Sequence, residues 1–271
     1  MALQFLNNAI GTSATFTGVF TMTDRLVLSD SSNNSFIGED AGVNNTTGDN
    51  NVSLGHNSLF SNTTGSHNNA IGAGSLYSNI SGNHNIAIGE ESLYSTTTGN
   101  NNIGIGFKSL YTNLTGYSNV GLGQRSLEKN TTGVGNIAIG TQALWNNTTG
   151  GSNVALGSSS LVSNTTGAAN VAFGVQSLVS NTTGNYNVAM GYQAGKFAAD
   201  GTTANATGSK SIFIGQSSKA NADGETNQIV IGDTAIGNGS NTVTLGNDSI
   251  VKTVLKGNVG IGETNPQAKL H

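Results

Sequence analysis

The chain has 271 residues, of which 39 are glycine, one is proline and none is cysteine. Charged residues make up 9% and the formal net charge is −4, which excludes both a charge-rich disordered chain and a basic nucleic-acid-binding surface. Without cysteine there are no disulfides or thiolate metal sites, and no apolar stretch approaches the ~20 residues of a membrane span. We therefore expect no nucleic-acid partner and no membrane insertion.

Residues 1–33 alternate apolar and polar side chains, as at Phe16 and Thr17, without a longer period. Such alternation indicates β-structure, and solenoids need capped ends to avoid edge-to-edge aggregation. We interpret residues 1–33 as an N-terminal β-rich cap or attachment segment. The stretch from Met1 to Phe20 lacks a basic region followed by an apolar run, so we expect no secretory signal there.

Residues 34–191 repeat every 17 residues, and each repeat, here called a rung, contains a short apolar run closed by a glycine. Regular repeats of this kind are the sequence signature of solenoids, in which each unit packs only against its neighbours. The glycines that close the apolar runs are Gly38, Gly55, Gly72, Gly89, Gly106, Gly123, Gly140, Gly157, Gly174 and Gly191.

The rhythm loosens over residues 192–262, where the steps between closing glycines become 24, 17, 14 and 16 residues. These later glycines are Gly215, Gly232, Gly246 and Gly262. The long first step predicts a loop that bulges from the solenoid within residues 192–228. Because surface loops often carry function, we expect this loop to be the best internal segment for a contact surface. Residues 263–271 are interpreted as a C-terminal connector.

The repeat unit is clearest from Asn153 to Gly167, which reads NVALGSSSLVSNTTG. The alternation of Val154, Ala155 and Leu156 predicts a strand, and the final glycine of Asn-Thr-Thr-Gly predicts a return turn that needs a positive φ. We expect a strand, a bend, a short second strand and a return turn in each rung. The fold class is then all-β, a parallel β-solenoid of about fourteen turns. The second half of the rung carries a recurrent leucine at Leu59, Leu76, Leu93, Leu110, Leu127, Leu144, Leu161 and Leu178.

An asparagine precedes each predicted strand in ten successive rungs. In strands stacked ~4.8 Å apart, such amides can hydrogen-bond along the column, so we predict a structural ladder and no catalytic role. The column comprises Asn34, Asn51, Asn68, Asn85, Asn102, Asn119, Asn136, Asn153, Asn170 and Asn187.

The middle residue of the predicted strand is always small in the regular rungs that run from Ser53 to Ala189. A solvent-facing strand would accept larger β-branched residues there, so we expect another chain to press against the small side. Val154 and Leu156, on the opposite side, would then fill the chain's own core. Burial on both faces predicts a homo-oligomer.

Four successive rungs place an aromatic residue after the leucine, at Phe60, Tyr77, Tyr94 and Tyr111. The column predicts either a stacking surface for sugar rings or, as we favour, rings packed along the flank of the solenoid. Trp145 follows two rungs after Tyr111.

His67 and His84 share a column and could stack, and association of several chains would bring further imidazoles close to them. We nevertheless expect outward turn positions without an accompanying carboxylate, and therefore no metal. Neither a Ser-His-Asp set nor a recurrent carboxylate pair is present, so we assign no catalytic, cofactor-binding or metal residues and expect a protein that is not an enzyme.

The strand motif N-[VI]-[AG]-[IL]-G followed by Leu resembles the head repeats of trimeric autotransporter adhesins, which are trimers of left-handed parallel β-rolls. Over the whole chain, the array of these units with Asn-Thr-Thr-Gly turns resembles phage tail fibres. The segment Gly257 to His271, GNVGIGETNPQAKLH, is similar to the stretch that precedes an endosialidase-type intramolecular chaperone in such fibres.

The resemblance implies a left-handed β-roll, a side-by-side or intertwined homotrimer, and a structural shaft or adhesin of a viral tail fibre. It further implies an extracellular virion protein made in the host cytoplasm. Its partners would be baseplate or tail proteins at the N-terminus and a host cell-surface glycan or protein.

Two other functions fit the same repeats. One is a bacterial trimeric surface adhesin. The other, which we favour less, is an ice-binding solenoid, suggested by threonine columns such as Thr132, Thr149 and Thr166.

Overall fold

The computed structural model describes residues 30–254, which form an all-β solenoid with one parallel sheet along its length. Thirteen three-residue strands follow one another in the sheet in chain order. They are β1 (Ser35–Ile37), β2 (Val52–Leu54), β3 (Asn69–Ile71), β4 (Ile86–Ile88), β5 (Ile103–Ile105), β6 (Val120–Leu122), β7 (Ile137–Ile139), β8 (Val154–Leu156), β9 (Val171–Phe173), β10 (Val188–Met190), β11 (Ile212–Ile214), β12 (Ile229–Ile231) and β13 (Val243–Leu245).

Each strand pairs in parallel with the strand of the next rung, so that equivalent residues lie above one another. Ala155 of β8, for example, lies opposite Ala172 of β9. The 24-residue step keeps this register, since Ala189 of β10 pairs with Phe213 of β11. The predicted parallel β-solenoid is therefore confirmed, with about twelve turns in the part described. The turn at Gly262, residues 1–29 of the predicted cap and the connector 263–271 lie outside the described residues.

The second strand predicted for each rung is wrong for the described part of the chain. The segment around the recurrent leucine consists of turns, and the leucines have φ between 47° and 54°. This left-handed conformation is costly for a residue with a side chain. Leu59 is fully buried and its backbone N–H donates to the Ser75 carbonyl of the next rung at 3.0 Å, which offsets that cost.

The two faces of the strand are the reverse of those predicted. Ala155 is fully buried inside the chain's own core, whereas Val154 and Leu156 lie on the outer face and remain partly exposed. The interior is narrow because only 17 residues enclose it, and the column of buried leucines already fills much of it. Only alanine, serine or glycine then fits at the strand centre in the regular rungs. The small side therefore packs inside the chain, and not against a partner.

Near each end of the regular array, the strand centre carries a large residue and the leucine column carries a glycine. In the first rung, Phe36 stands at the strand centre and Gly42 replaces the leucine; a Cβ on Gly42 would lie 2.7 Å from the Phe36 ring. Near the other end, a Cβ on Gly195 would lie 2.9 Å from both Phe213 and Leu178. The large ring takes the volume that a leucine fills elsewhere, so the packed interior is kept.

The predicted asparagine ladder is confirmed and is buried. The side-chain carbonyl of Asn119 accepts the backbone N–H of Asn136 at 3.0 Å. The Asn136 amide in turn donates to the carbonyl of Gly150 at 2.9 Å. A buried amide without a partner costs about 1–3 kcal/mol, which favours the same residue in each of the ten regular rungs. Ser211 and Gln228 take the position in the next two rungs.

A second ladder, not predicted from the sequence, is formed by the asparagine of the Asn-Thr-Thr-Gly turn. Asn147 donates to the Asn130 side-chain carbonyl at 2.8 Å and to the Gly150 carbonyl at 2.9 Å. The ladder breaks where Thr96 stands in the column: neither the Asn79 side-chain carbonyl nor the Thr96 hydroxyl has a hydrogen-bond partner in the described structure. The other members of this column are Asn45, Asn62, Asn113, Asn164 and Asn181.

The glycine that ends this turn is needed for a reason other than the predicted one. Gly133 does not adopt a positive φ. A Cβ there would instead lie 2.5 Å from the carbonyl oxygen of Gly150 in the next rung, and closer still to the side-chain oxygen of Asn130. Space between rungs, and not backbone conformation, therefore selects glycine.

We predict that Thr96→Asn stabilises the solenoid. The new amide would donate to Asn79 and accept from Asn113, which adds about 1–2 kcal/mol to the free energy of unfolding. Chemical denaturation measures the change, and Thr98→Asn, at an exposed position two residues away, is the matched control. Equal stability of the two variants would contradict the ladder account.

We also predict that Gly133→Ala lowers the free energy of unfolding by about 2–3 kcal/mol, since the methyl group forces two rungs apart. Gly135→Asn in the same turn should be nearly neutral. Gly135 has φ of 66°, which asparagine tolerates, and the nearest atom to a Cβ there is 3.9 Å away. Thermal melting of both variants checks the difference, and a neutral Gly133→Ala would show that the rungs can separate at little cost.

Candidate functional site

Aligned with one another, the rungs differ most along one side of the solenoid. This side, which we call the charged flank, comprises the two residues after each strand-closing glycine and the two residues after each buried leucine. Outside the strands, the other outward positions are mostly Asn, Ser, Thr or small. The charged and histidine residues of the flank from the first to the seventh rung are Glu39, Asp40, His56, Glu90, Glu91, Lys108, Arg125, Glu128 and Lys129.

The predicted aromatic column lies on the charged flank, and its rings stack on one another. The centroids of Tyr77 and Tyr94 are 4.8 Å apart with an interplanar angle of 5°, and Phe60 and Tyr111 extend the stack at 5.0 and 5.2 Å. Because neighbouring rings cover one another, the ring faces between them are not open to a sugar. The geometry favours flank packing over the sugar-stacking alternative and leaves ring edges as the accessible surface.

In the two rungs after Tyr111, the aromatic column continues with Glu128 and Trp145, which make polar contacts. The indole N–H of Trp145 donates to the Glu128 carboxylate at 2.8 Å, and Arg125 lies 3.5 Å from the same carboxylate. The Lys129 ammonium sits 4.1 Å from the centre of the Trp145 ring. Trp145 is thus engaged on its edge and on one face by residues of the preceding rung.

Lys108 links the charges to the rings. Its ammonium lies 3.1 Å from the Glu91 carboxylate and 5.0 Å from the centre of the Tyr111 ring. The bond with Glu91 raises the pKa of Lys108 above its ordinary value. Lys108 therefore stays charged, and it neutralises Glu91.

His67 and His84 stack with their centroids 4.8 Å apart. The expectation that no carboxylate accompanies them is wrong, because Asp49 Oδ1 lies 4.0 Å from His67 Nδ1. The hydrogen bond with the Ser66 side chain, and then the charge of His67, lower the pKa of Asp49. Within residues 30–254, no group of three histidine or acidic residues is placed to hold a metal ion.

The predicted loop after β10 is a short hairpin. Phe197 and Ala204 form an antiparallel bridge, and Asp200 accepts the backbone N–H groups of Thr202 and Thr203, each at 2.8 Å. Hydrogen bonds from the Thr203 side chain and these two amides lower the pKa of Asp200 to about 2. That this hairpin forms a contact surface stays a prediction.

The outer face of the sheet is a continuous apolar surface. This apolar face consists of the first and third residues of β1–β13. The third residue of each strand is Ile, Leu, Phe or Met, and the first is Val or Ile except at Ser35 and Asn69. Ile105 is 38% exposed and Phe173 54% exposed. Twelve strand spacings of ~4.8 Å and three residues of ~3.3 Å give roughly 58 Å by 10 Å, or about 600 Å². Such a patch is at the upper limit of what a monomer normally exposes.

No protein-family model, curated protein or solved structure matches the chain. Among the described residues there is no helix long and apolar enough to cross a membrane. Function must therefore be inferred from the charged flank, the apolar face and the resemblance carried by the repeats.

We predict that the hairpin is held by the ionised form of Asp200. Since its pKa is lower in the folded chain, this contribution is present above the ordinary value of 3.8 and is lost as the pH falls through about 2. The pH titration of the Thr203 amide resonance should show a midpoint near that lower value. Asp200→Asn should remove the titration, and a midpoint near 3.8 would contradict the proposed bonds.

Proposed function

We propose that the chain is a structural shaft of a viral tail fibre, in which three copies associate along their length and present a host-recognition surface. The observation that carries the proposal is the apolar face. It runs the full height of the described solenoid and has no covering element among residues 30–254. A mechanical role also fits a parallel stack in which each rung is hydrogen-bonded to the next through backbone and side-chain groups.

A second copy of the chain is the best partner for the apolar face. The face repeats once per rung over thirteen strands, and only a surface with the same repeat can match it along its whole height. Its area, about 600 Å² per chain, approaches the ~800 Å² per partner of a standard stable interface. Burial of Ile, Leu and Val side chains would supply the driving force.

The number of copies and the setting come from the sequence resemblance. The adhesin-like strand motif favours a trimer with each apolar face turned to the common axis. The array of turns and the segment from Gly257 to His271 favour a phage fibre over a bacterial adhesin. Baseplate or tail proteins at the N-terminus and a host surface glycan or protein are the partners proposed with this role. Many weak contacts presented by three chains would give avidity.

We predict a solution mass of three times the chain mass of 27.4 kDa. The double variant Ile105→Lys/Ile139→Lys should weaken association by at least about 100-fold, because an unpaired ammonium in an apolar interface costs several kcal/mol. Light scattering at micromolar concentration measures both masses, and circular dichroism should show that the rungs remain folded.

The matched control is Thr98→Lys/Thr132→Lys. It adds the same two charges at exposed turn positions, each seven residues before one of the two isoleucines. This variant should keep the wild-type mass. A monomeric wild-type chain would overturn the fibre proposal, and an unchanged mass for the isoleucine variant would show that association uses another surface.

A further inference from the structure

The rung that contains β3 lacks large side chains on part of the charged flank. After the closing glycine it carries Ala73 and Gly74, while the rungs above and below carry side chains with polar ends. A cleft of about 210 Å³ opens at this level. The upper lip is His56 and Asn57, the floor is Ala73 and Gly74, and the lower lip is Glu90 and Glu91.

The cleft has an uncompensated negative charge on its lower lip. Glu91 is paired with Lys108 at 3.1 Å, and His56 lies 3.9 Å from Glu39. Glu90 is exposed, and its carboxylate makes neither an ion pair nor a side-chain hydrogen bond with any residue of the described chain. A cationic group entering the cleft would therefore meet a carboxylate that is free to bind it.

Two tyrosines complete the wall of the cleft. Tyr77 and Tyr94 line it, and since they stack on each other they offer edges and phenol groups. Burial, and then the proximity of Tyr77, raises the pKa of Tyr94, so its phenol stays protonated and can donate a hydrogen bond. The Asn57 side chain also lies at the upper lip. Its amide nitrogen is 3.2 Å from His56 Nε2, which leaves its carbonyl oxygen to accept a hydrogen bond. These neutral groups suit hydroxyl partners.

The size of the cleft limits the ligand. Its volume of about 210 Å³ is below the ~300 Å³ at which pockets for drug-sized ligands begin. One sugar ring can enter at Ala73 and Gly74, where the rung lacks large side chains.

We infer that this cleft binds the ring of a protonated amino sugar. The ammonium lies against Glu90, and ring hydroxyls bond to Asn57 and the tyrosine phenols. The inference deepens the proposed attachment role by naming a ligand class, and it rests on that role for its biological meaning. The binding chemistry itself needs only one chain.

The test is titration of the full chain with D-glucosamine at pH 7, followed by calorimetry and ligand-observed NMR. D-glucose, which has the same ring without the charge, is the comparison ligand. We expect glucosamine to bind with a dissociation constant on the order of 1 mM and glucose to bind at least about fivefold more weakly. Glu90→Gln should weaken glucosamine binding by about fivefold, because it removes the charge and keeps the shape.

Gly74→Gln should abolish binding by filling the gap. The backbone suits the substitution, since Gln142, Gln176 and Gln193 occupy the same column with φ of 54° to 58°, close to the 65° of Gly74. A Cβ there would lie 3.3 Å from the Tyr94 ring, so that ring must shift by a few tenths of an ångström. Ser159→Gln, in that column but remote from the cleft, is the matched control and should bind normally.

Equal affinity for glucose and glucosamine, or normal binding by Gly74→Gln, would overturn the inference. Light scattering on the same samples separates this result from the fibre proposal. A trimer that does not bind glucosamine would contradict the amino-sugar site and leave the fibre proposal standing. A monomer that binds glucosamine as predicted would contradict the trimeric fibre and leave the site standing.

Discussion

Hydrogen bonding between buried side chains of successive rungs holds this solenoid in register. The side-chain amide of Asn136 donates to the side-chain carbonyl of Asn119, one rung before it, at 3.1 Å and to the Gly150 carbonyl at the same level at 2.9 Å. The interior therefore constrains nearly every inward position to asparagine, serine, leucine or a small residue. Glycine is imposed too, as at Gly133, because the next rung is too close for a methyl group. Variation is left to the outward positions, above all those of the charged flank.

The sequence predicts the period, the strands and the first asparagine ladder because identical residues at 17-residue steps must stack. It does not predict which side of the strand faces inward. Alternation of Val154, Ala155 and Leu156 is the same whichever side is buried, and the width of the interior depends on turns such as that at Leu161. The sequence around each leucine does not predict its left-handed backbone conformation, because leucine normally avoids that conformation.

For the candidate surfaces, the sequence predicts which residues share a column but not the contacts that they make. The aromatic column could be read from the repeat, but the choice between ring stacking and sugar binding required the 4.8 Å spacing of Tyr77 and Tyr94. The cleft is visible in aligned rungs only as the missing side chains of Ala73 and Gly74. Comparing residues 17 positions apart does not predict the contact of His67 with Asp49, because the two residues occupy neighbouring columns in successive rungs.

The exchange of a large and a small residue at Phe36 and Gly42, and again around Gly195 and Phe213, has a consequence for folding. Rungs that are alike can pair after slippage by one whole repeat, with little loss of hydrogen bonding. A shifted alignment would bring a leucine against the ring of Phe36 or leave an empty space beside Gly42. These mismatched volumes penalise misaligned stacks and mark where the regular array begins and ends.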